Sequence, residues 1–193
     1  MCGIVGYIGP RDATPIILSG LKRLEYRGYD SAGLAILNGD QLEVRKDAGK
    51  LSQLIDLVNK SPINGAPGIG HTRWATHGAP NARNAHPHLG QTKRVVVVQN
   101  GIVENFLELK DELMAEGVEF QSETDTETIV HLVEHYLATG LGLVEAARQT
   151  FNQIQGANVV VLMSADEPDK IVTARIGNAG GVVLGLGDGE NFI

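Results

Sequence analysis

The residue best suited to covalent chemistry is Cys2, the only cysteine of the chain. Aminopeptidases remove an initiator methionine that precedes a small side chain, and Cys2 would then carry a free α-amine. Reference pKa values are about 7.7–8.0 for an α-amine and about 8.5 for a thiol. One residue would therefore supply a base and a nucleophile near neutral pH. The alternative interpretation is a small hydrophobic side chain without a chemical role.

A second chemical feature is the dipeptide Asn100-Gly101, which follows the apolar run Val95–Val98. A strand that ends in Asn-Gly can turn sharply and leave an amide side chain beside an exposed backbone N–H. Two such donors can hold the oxyanion of a tetrahedral intermediate. In isolation the dipeptide is more typical of a plain turn, and that alternative stays open.

A third pattern points to a different class of enzyme. Residues 131–135 read His-Leu-Val-Glu-His, the H-x-x-E-H spacing of one group of zinc peptidases. On a helix, His131, Glu134 and His135 would lie opposite the apolar face, which indicates an ordinary solvated surface. No acidic ligand stands out downstream. A zinc hydrolase is therefore the weaker alternative, and we expect neither a metal nor a cofactor.

Composition and charge limit the class of partner. The 193 residues include 16 basic and 23 acidic side chains, a net charge of -7, which argues against nucleic acid or an anionic membrane as partner. No apolar run reaches the roughly 20 residues of a membrane helix. The N-terminus lacks the features of a signal peptide, and a single cysteine suits a reducing compartment. We therefore expect one cytoplasmic globular domain.

The apolar pattern predicts the elements that must position these residues. Strands are expected at 4–8, 34–37, 42–44, 95–98, 159–163, 171–174 and 182–186, with 38–40 as a hairpin turn. Helices are expected from residue 14, over 51–58 and 106–116, from residue 124, and over 143–154. Thr124 and Glu127 read as a capping box. This order favours sheets packed together and covered by helices. The chain ends within a predicted strand, so we expect a piece of a longer protein.

Several segments, taken in order, form a recognisable set. They are Met1–Gly6 (Met-Cys-Gly-Ile-Val-Gly), Glu25–Gly33 (Glu-Tyr-Arg-Gly-Tyr-Asp-Ser-Ala-Gly), His71–Gly78 (His-Thr-Arg-Trp-Ala-Thr-His-Gly), Asn84–His88, Asn100–Asn105 and Ser122–Glu127. In this order they closely resemble the glutaminase domains of the glutamine–fructose-6-phosphate amidotransferases, also called glucosamine-6-phosphate synthases. The initial Cys-Gly-Ile is shared across class II glutamine amidotransferases, whereas Tyr-Arg-Gly-Tyr-Asp-Ser and Thr-Arg-Trp-Ala-Thr-His point to this family. The resemblance covers essentially the whole chain.

The resemblance implies an α+β chain with the N-terminal-nucleophile hydrolase fold, in which two stacked antiparallel sheets lie between helical layers. It also implies hydrolysis of the L-glutamine side-chain amide through a γ-glutamyl thioester at Cys2. Asn100 and Gly101 match the family's oxyanion hole, and Arg27 matches a supporting position near the nucleophile. The remaining matches concern glutamine binding: Arg73 for the α-carboxylate, Asp125 for the α-ammonium, Trp74, Thr76 and His77 in a loop over the substrate (73–81), and His86 at the pocket border.

The chain also departs from the family pattern. The sugar-isomerising part, which in the family binds fructose 6-phosphate and uses the ammonia to make glucosamine 6-phosphate, is absent. We therefore expect residues 1–193 to be a glutaminase domain truncated at its C-terminus. Its expected partners are L-glutamine and its own synthase half, in a homodimer or larger assembly. Residues 174–181 differ from the family's Arg-x-Gly-Ser-Pro motif, and their added glycines predict a looser loop. A module that binds glutamine without turnover is a further alternative.

Overall fold

The structure, a computed structural model, describes residues 2–193 and contains two antiparallel β-sheets. The first sheet is built from β1 Gly3–Ile8, β2 Ser31–Asn38, β3 Gln41–Ala48, β4 Gly68–Arg73, β9 Gly185–Leu186 and β10 Asn191–Phe192, in the spatial order β3-β2-β4-β1-β10-β9. The second is built from β5 His88–Leu89, β6 Val95–Gly101, β7 Asn158–Ser164 and β8 Val172–Ile176, in the order β5-β6-β7-β8.

Helices cover the outer face of each sheet, so that the layers run helix, sheet, sheet, helix. Helices α1 Ala13–Leu24 and α2 Leu51–Lys60 pack on the first sheet, and α3 Phe106–Ala115, α4 Thr126–Ala138 and α5 Leu143–Gln153 pack on the second. A third apolar cluster, which includes Ile69, Val96 and Val161, fills the space between the sheets. The expected α+β architecture is confirmed. None of the helices in residues 2–193 is long and apolar enough to cross a membrane.

Strand alternation brings the chemically interesting residues into the space between the sheets. Successive side chains of a strand point to opposite faces. The even-numbered residues of β6 belong to the inter-sheet cluster, and Asn100 continues that series. In β4, Ile69 belongs to the same cluster, and the face of the strand that carries Ile69 also carries His71 and Arg73. Cys2 precedes β1 and extends the series that faces this cluster.

The predicted elements are confirmed for most of the chain. The hairpin joins β2 to β3 through Gly39 and Asp40, with Asn38 paired to Gln41 and φ of 61° at Gly39. The first helix begins one residue before the predicted Thr14. Asp12 caps it, because its carboxylate accepts the Thr14 N–H at 3.1 Å. The valine run is a buried central strand, as expected from its continuous apolar character.

The capping box predicted for α4 is wrong. The helix begins at Thr126, and the Thr124 hydroxyl lies 2.9 Å from His88 Nε2. The Glu127 carboxylate accepts the backbone N–H of Gln121 at 2.7 Å rather than that of Thr124. Tertiary partners therefore replace the local capping pattern.

The solvated face predicted for the H-x-x-E-H segment is also wrong. His131 is buried, with Nε2 3.4 Å from Glu127 Oε1 and Nδ1 3.7 Å from Glu134 Oε2. Burial disfavours its imidazolium, but hydrogen bonds with these two carboxylates outweigh burial and raise the pKa of His131. Only His135 of the three is exposed, and its Nδ1 contacts Glu116 at 2.9 Å. The segment is a buried histidine held by two carboxylates, next to a surface residue.

The strand predicted at 182–186 is mostly wrong. Only Gly185 and Leu186 form strand β9, and the preceding residues have no regular structure. Val183 and Leu184 are 80% and 60% exposed, so they lack the packing that would order a longer strand.

Candidate active site

Cys2 lies with its sulfur against the backbone of Trp74. The Trp74 N–H donates to Sγ at 3.2 Å, and Sγ lies 3.7 Å from the Trp74 carbonyl oxygen. Burial raises the pKa of the Cys2 thiol and outweighs the opposing effect of the Trp74 N–H. The thiol therefore needs a proton acceptor before it can attack a substrate. Met1, whose removal would free the α-amine, lies outside the described residues.

A cavity of about 230 Å³ opens beside Cys2 and has Arg73 and Asp125 in its wall. Both side chains are only 3% exposed. Arg73 Nη2 donates to the His77 carbonyl, while Nη1 is a buried donor without a hydrogen-bond partner in residues 2–193. Asp125 Oδ2 accepts the Val103 N–H at 2.8 Å, and burial raises the pKa of this carboxyl group. A buried cation with an unused donor and a buried acid in one small cavity are complementary to a zwitterion.

Asn100 and Gly101 line a second cavity of about 370 Å³, which also includes Cys2 in its wall. Asn100 Oδ1 lies 2.8 Å from His71 Nε2. Gly101 has φ of 137°, and a Cβ at this position would come within 2.1 Å of the Ala157 carbonyl oxygen. Only glycine fits this backbone without strain. The structure thus brings both sequence-predicted donors to the cavity that contains the sulfur.

The predicted loop at 73–81 borders the first cavity. Trp74 and Thr76 lie in its wall, and Trp74 is 56% exposed, so it is not a core aromatic residue. Its indole covers Gly28, where a Cβ would come within 3.1 Å of Trp74 Cζ3. His77 lies outside the cavity wall, with Nδ1 3.7 Å from Asp125 Oδ1. Its ring contacts Phe106 edge to face, with 5.0 Å between the ring centroids.

His86 lies in the wall of the first cavity. It is 4% exposed, and burial lowers the pKa of its imidazole well below the usual value. Lys46 holds the surrounding segment, because its Nζ donates to the carbonyls of Arg83, Ala85 and Pro87 at 3.2, 2.7 and 3.1 Å. Burial lowers the pKa of Lys46 to about 8. This lysine fastens the loop that carries His86.

Arg27 and the unusual glycine-containing loop lie in the wall of the second cavity. Arg27 ends a short 3₁₀ turn, Glu25–Arg27, after α1. Ala179, Gly180 and Gly181 form the other side of the wall, and a Cβ at either glycine would meet no atom within 4 Å. The segment that departs from the family pattern therefore lines the same cavity as Cys2.

Sequence reasoning missed three residues that support the site. His71 contacts Asn100, Lys46 holds the His86 segment, and Asp30 anchors the loop over the cavity. Asp30 Oδ2 accepts the Ala75 N–H at 2.5 Å, and its own N–H donates to the Arg73 carbonyl at 2.7 Å. Two-residue alternation was a usable signal for His71, because it places this side chain on the same face of β4 as Arg73. No local signal marks Lys46.

A larger cavity of about 510 Å³ lies apart from this chemistry. It adjoins β8 and β10, and its wall includes the apolar residues Val144, Leu184 and Leu186. It does not contain Cys2, whereas both smaller cavities do. The chemistry of the lining, rather than volume, identifies the candidate active site.

The fold and the site define an amidotransferase domain of the N-terminal-nucleophile class. A family model described as a glutamine amidotransferase domain matches residues 71–178, and the chain belongs to this family. A glutamine–fructose-6-phosphate aminotransferase (isomerizing) of Thermococcus kodakarensis is 51% identical over the whole chain, and one of Thermus thermophilus is 52% identical. The chain covers 32% and 31% of these relatives, so it spans about a third of their length. The family expectation from the sequence motifs is confirmed.

Solved structures agree on the fold. The glutamine phosphoribosylpyrophosphate amidotransferase of B. subtilis superposes with a TM-score of 0.84 at 23% identity, over 100% of this chain and 41% of that one. A structure described as the allosteric regulatory enzyme of purine biosynthesis gives a TM-score of 0.83 at 25% identity, with the same coverage. The N-terminal-nucleophile amidotransferase fold expected from the sequence is therefore confirmed.

Proposed function

We propose that this chain hydrolyses the side-chain amide of L-glutamine to glutamate and ammonia through a γ-glutamyl thioester at Cys2. The observation that carries the proposal is the position of Cys2 in the walls of two cavities. One contains a buried cation and a buried acid, Arg73 and Asp125. The other contains two potential oxyanion donors, Asn100 and Gly101. A nucleophile with a binding site on one side and donors on the other is the arrangement that acyl transfer requires.

Substrate recognition follows from the charges in the first cavity. The unused Nη1 donor of Arg73 suits the α-carboxylate of a free amino acid, and the Asp125 carboxylate suits its α-ammonium. A glutamine residue in the interior of a peptide has neither charged group and would be rejected. Trp74, Thr76 and His86 complete the wall around the side chain of the substrate.

The chemical steps use groups of Cys2, Asn100 and Gly101. After removal of Met1, the α-amine of Cys2 accepts the thiol proton, and Sγ attacks the amide carbon. The amide side chain of Asn100 and the backbone N–H of Gly101 hold the resulting oxyanion. The tetrahedral intermediate collapses with cleavage of the C–N bond, and ammonia leaves with the proton. Water then attacks the thioester, which releases glutamate and restores the thiol.

In the whole protein, we propose that the released ammonia converts fructose 6-phosphate to glucosamine 6-phosphate in a synthase part of the same polypeptide. The names of the two aminotransferase relatives support this, as does the third of their length that the chain spans. Residues 1–193 are then a C-terminally truncated glutaminase domain within a cytoplasmic homodimer or larger assembly. Arg27 supports the nucleophile from the wall of the second cavity.

Two alternatives predict different outcomes. A regulatory module would bind glutamine without releasing ammonia, and the shared cavity wall of Cys2, Asn100 and Gly101 supports turnover instead. A zinc hydrolase would need ligands around the H-x-x-E-H segment. His131 is instead engaged by two carboxylates, and no group of three or more His, Cys, Asp or Glu residues within 2–193 could hold a metal ion.

The test combines the intact mass of the purified chain with glutamate release from glutamine. We expect loss of Met1 and glutamate release, and we expect Cys2→Ala to abolish turnover while glutamine still binds. Asn100→Ala should lower the rate by about 10²–10³, the usual loss for one oxyanion donor. Wild-type release by Cys2→Ala would contradict the mechanism, as would activity in a sample that retains Met1. Glutamine binding without turnover by the Met1-free chain would favour the regulatory module.

A further inference from the structure

We propose that His71 is a positioning residue that holds the Asn100 amide with Nδ2 directed to the reacting carbonyl. The inference rests on the proposed function, because that function makes Asn100 an oxyanion donor. His71 lies in β4 of the first sheet and Asn100 in β6 of the second, so their contact crosses the inter-sheet space. His71 Nε2 and Asn100 Oδ1 are 2.8 Å apart.

The contact matters because an asparagine side chain has two nearly isosteric orientations. One presents its NH₂ group and the other presents its oxygen. The NH₂ orientation stabilises an oxyanion, whereas the oxygen orientation repels it. In the structure Oδ1 is directed to His71, which leaves Nδ2 as the part of the amide that can donate elsewhere. The partner of Oδ1 therefore decides whether Asn100 can act as a donor.

The protonation of His71 determines which orientation is stable. The ring is completely buried, and burial lowers the pKa of His71 to about 4, so it is neutral at pH 7 with a single N–H. With the proton on Nε2, the ring donates to Oδ1 and keeps Nδ2 free. With the proton on Nδ1, Nε2 would accept from Nδ2 and turn Oδ1 to the cavity. With Asn100 Oδ1 directed to Nε2, this hydrogen bond requires the proton on Nε2, and Nδ1 is then a buried acceptor without a hydrogen-bond partner in residues 2–193.

The groups around His71 favour its neutral imidazole. The ring of His86 packs against it with 4.4 Å between the centroids, and burial keeps that second ring neutral also. The Arg73 guanidinium, on the same face of β4, disfavours a positive charge on His71. The Asn100 contact, the Gln99 backbone carbonyl and the Asp30 carboxylate have the opposite effect on the pKa of His71, but burial outweighs them. The Asn100 contact is thus made by a neutral donor that changes little between pH 6 and 8.

The first experiment measures glutaminase kinetics of His71→Leu and His71→Gln in this chain. The leucine variant removes the donor and should lower kcat by about 10- to 100-fold, less than the full 10²–10³ loss of an oxyanion donor, because a free amide still samples the productive orientation. The KM for glutamine should stay within about twofold, since Arg73 and Asp125 are untouched. The glutamine variant can place an NH₂ group near the position of Nε2 and should recover most of the rate.

A double-mutant cycle separates positioning from mere packing. In an Asn100→Ala background, His71→Leu should cause no further loss of kcat, because the group that it positions is gone. His88→Leu is the matched control: it also removes a buried neutral histidine, but this one contacts Thr124. Any loss that it causes should be equal in both backgrounds. Additive losses for His71→Leu and Asn100→Ala would overturn the proposal.

A second measurement does not depend on turnover or on the folding of a variant. The ¹⁵N chemical shifts of the His71 imidazole in the unmodified chain distinguish the tautomers. We expect Nε2–H, and an Nδ1–H tautomer would overturn the proposal. If the Met1-free chain releases no glutamate but shows Nε2–H, the proposed function fails while the assigned orientation of Asn100 stands.

Discussion

The Asp125→Asn substitution tests substrate recognition most directly. Asp125 Oδ2 accepts the Val103 N–H at 2.8 Å, and an asparagine oxygen can accept the same bond. The substitution therefore removes the negative charge with little change in shape. If the carboxylate receives the α-ammonium of glutamine, the variant should lose affinity for glutamine and keep its fold.

The expected size of the loss follows from the burial of this carboxylate. Asp125 is 3% exposed, so its interaction with an ammonium group is weakly screened. A hydrogen bond to a charged group contributes about 1.5–3 kcal/mol, which corresponds to roughly a 10- to 150-fold decrease in kcat/KM. Stability should respond in the opposite direction. Burial raises the pKa of Asp125, so its ionised form destabilises the folded state at pH 7, and the neutral asparagine should leave the free energy of unfolding unchanged or higher.

The assay compares glutamine with 4-carbamoylbutanoate, the analogue that lacks the α-amino group. For the unmodified chain, kcat/KM should be roughly 10- to 150-fold higher for glutamine than for the analogue, the factor expected from the ion pair. Asp125→Asn should lose that preference, with kcat/KM for the analogue almost unchanged. Asp111→Asn, which removes an exposed carboxylate on α3, is the matched control and should behave as the unmodified chain does. Urea unfolding of all three proteins reports their stability.

Two results would refute this reasoning. An equal loss of kcat/KM for both substrates would mean that Asp125 supports the site generally and does not receive the α-ammonium. A clear decrease in the free energy of unfolding would mean that its charge is required by the fold. The first result would remove Asp125 from the set of proposed glutamine-binding residues, and the second would contradict the stability argument.

Other predictions concern the backbone, a buried cation and pH. Gly101→Ala should abolish turnover and lower the free energy of unfolding by about 1–3 kcal/mol, because of its φ of 137° and the Ala157 carbonyl; unchanged urea unfolding would contradict this. Lys46→Met should lower stability by about 1–3 kcal/mol and impair turnover, since three carbonyls lose their donor, while exposed Lys60→Met should do neither. The three buried histidines at 71, 86 and 88 have lowered pKa values, so protons bind preferentially to the unfolded chain below pH 6.5. As the pH falls from 7.5 to 5.5, each of these three histidines should lower the free energy of unfolding by about 1.4 kcal/mol. His131 should offset part of this loss, because its pKa is raised. A free energy of unfolding that does not change over this pH range would show that the three histidines are not neutral in the folded state.

Local patterns succeeded where neighbours in the chain decide the outcome. The Asn38–Gln41 turn, the buried valine strand and the amphipathic helices follow from backbone preferences and from the period of apolar residues. The motif around Cys2 also indicated the family, which the comparisons confirm. These inferences need no information about which distant segments meet.

Local patterns failed where a distant partner competed. The predicted capping box at Thr124 is replaced by contacts with His88 and the preceding loop, because those buried groups offer stronger alternatives than the helix end. His131 is buried instead of solvated, since Glu127 and Glu134 supply compensating charges. A helical wheel distinguishes the two faces of a helix, but it does not show that the polar face is also covered.

The sequence by itself predicted Cys2 as the nucleophile and determined the strand and helix periods and the family, because each resides in residue types and short spacings. The tertiary structure alone decided that two cavities meet at Cys2, that Lys46 secures the His86 segment and that His71 contacts Asn100. The physical reason is that these contacts cross strands and sheets. His71 and Asn100 are 29 residues apart, and only the stacking of the two sheets brings the imidazole within hydrogen-bonding distance of the amide.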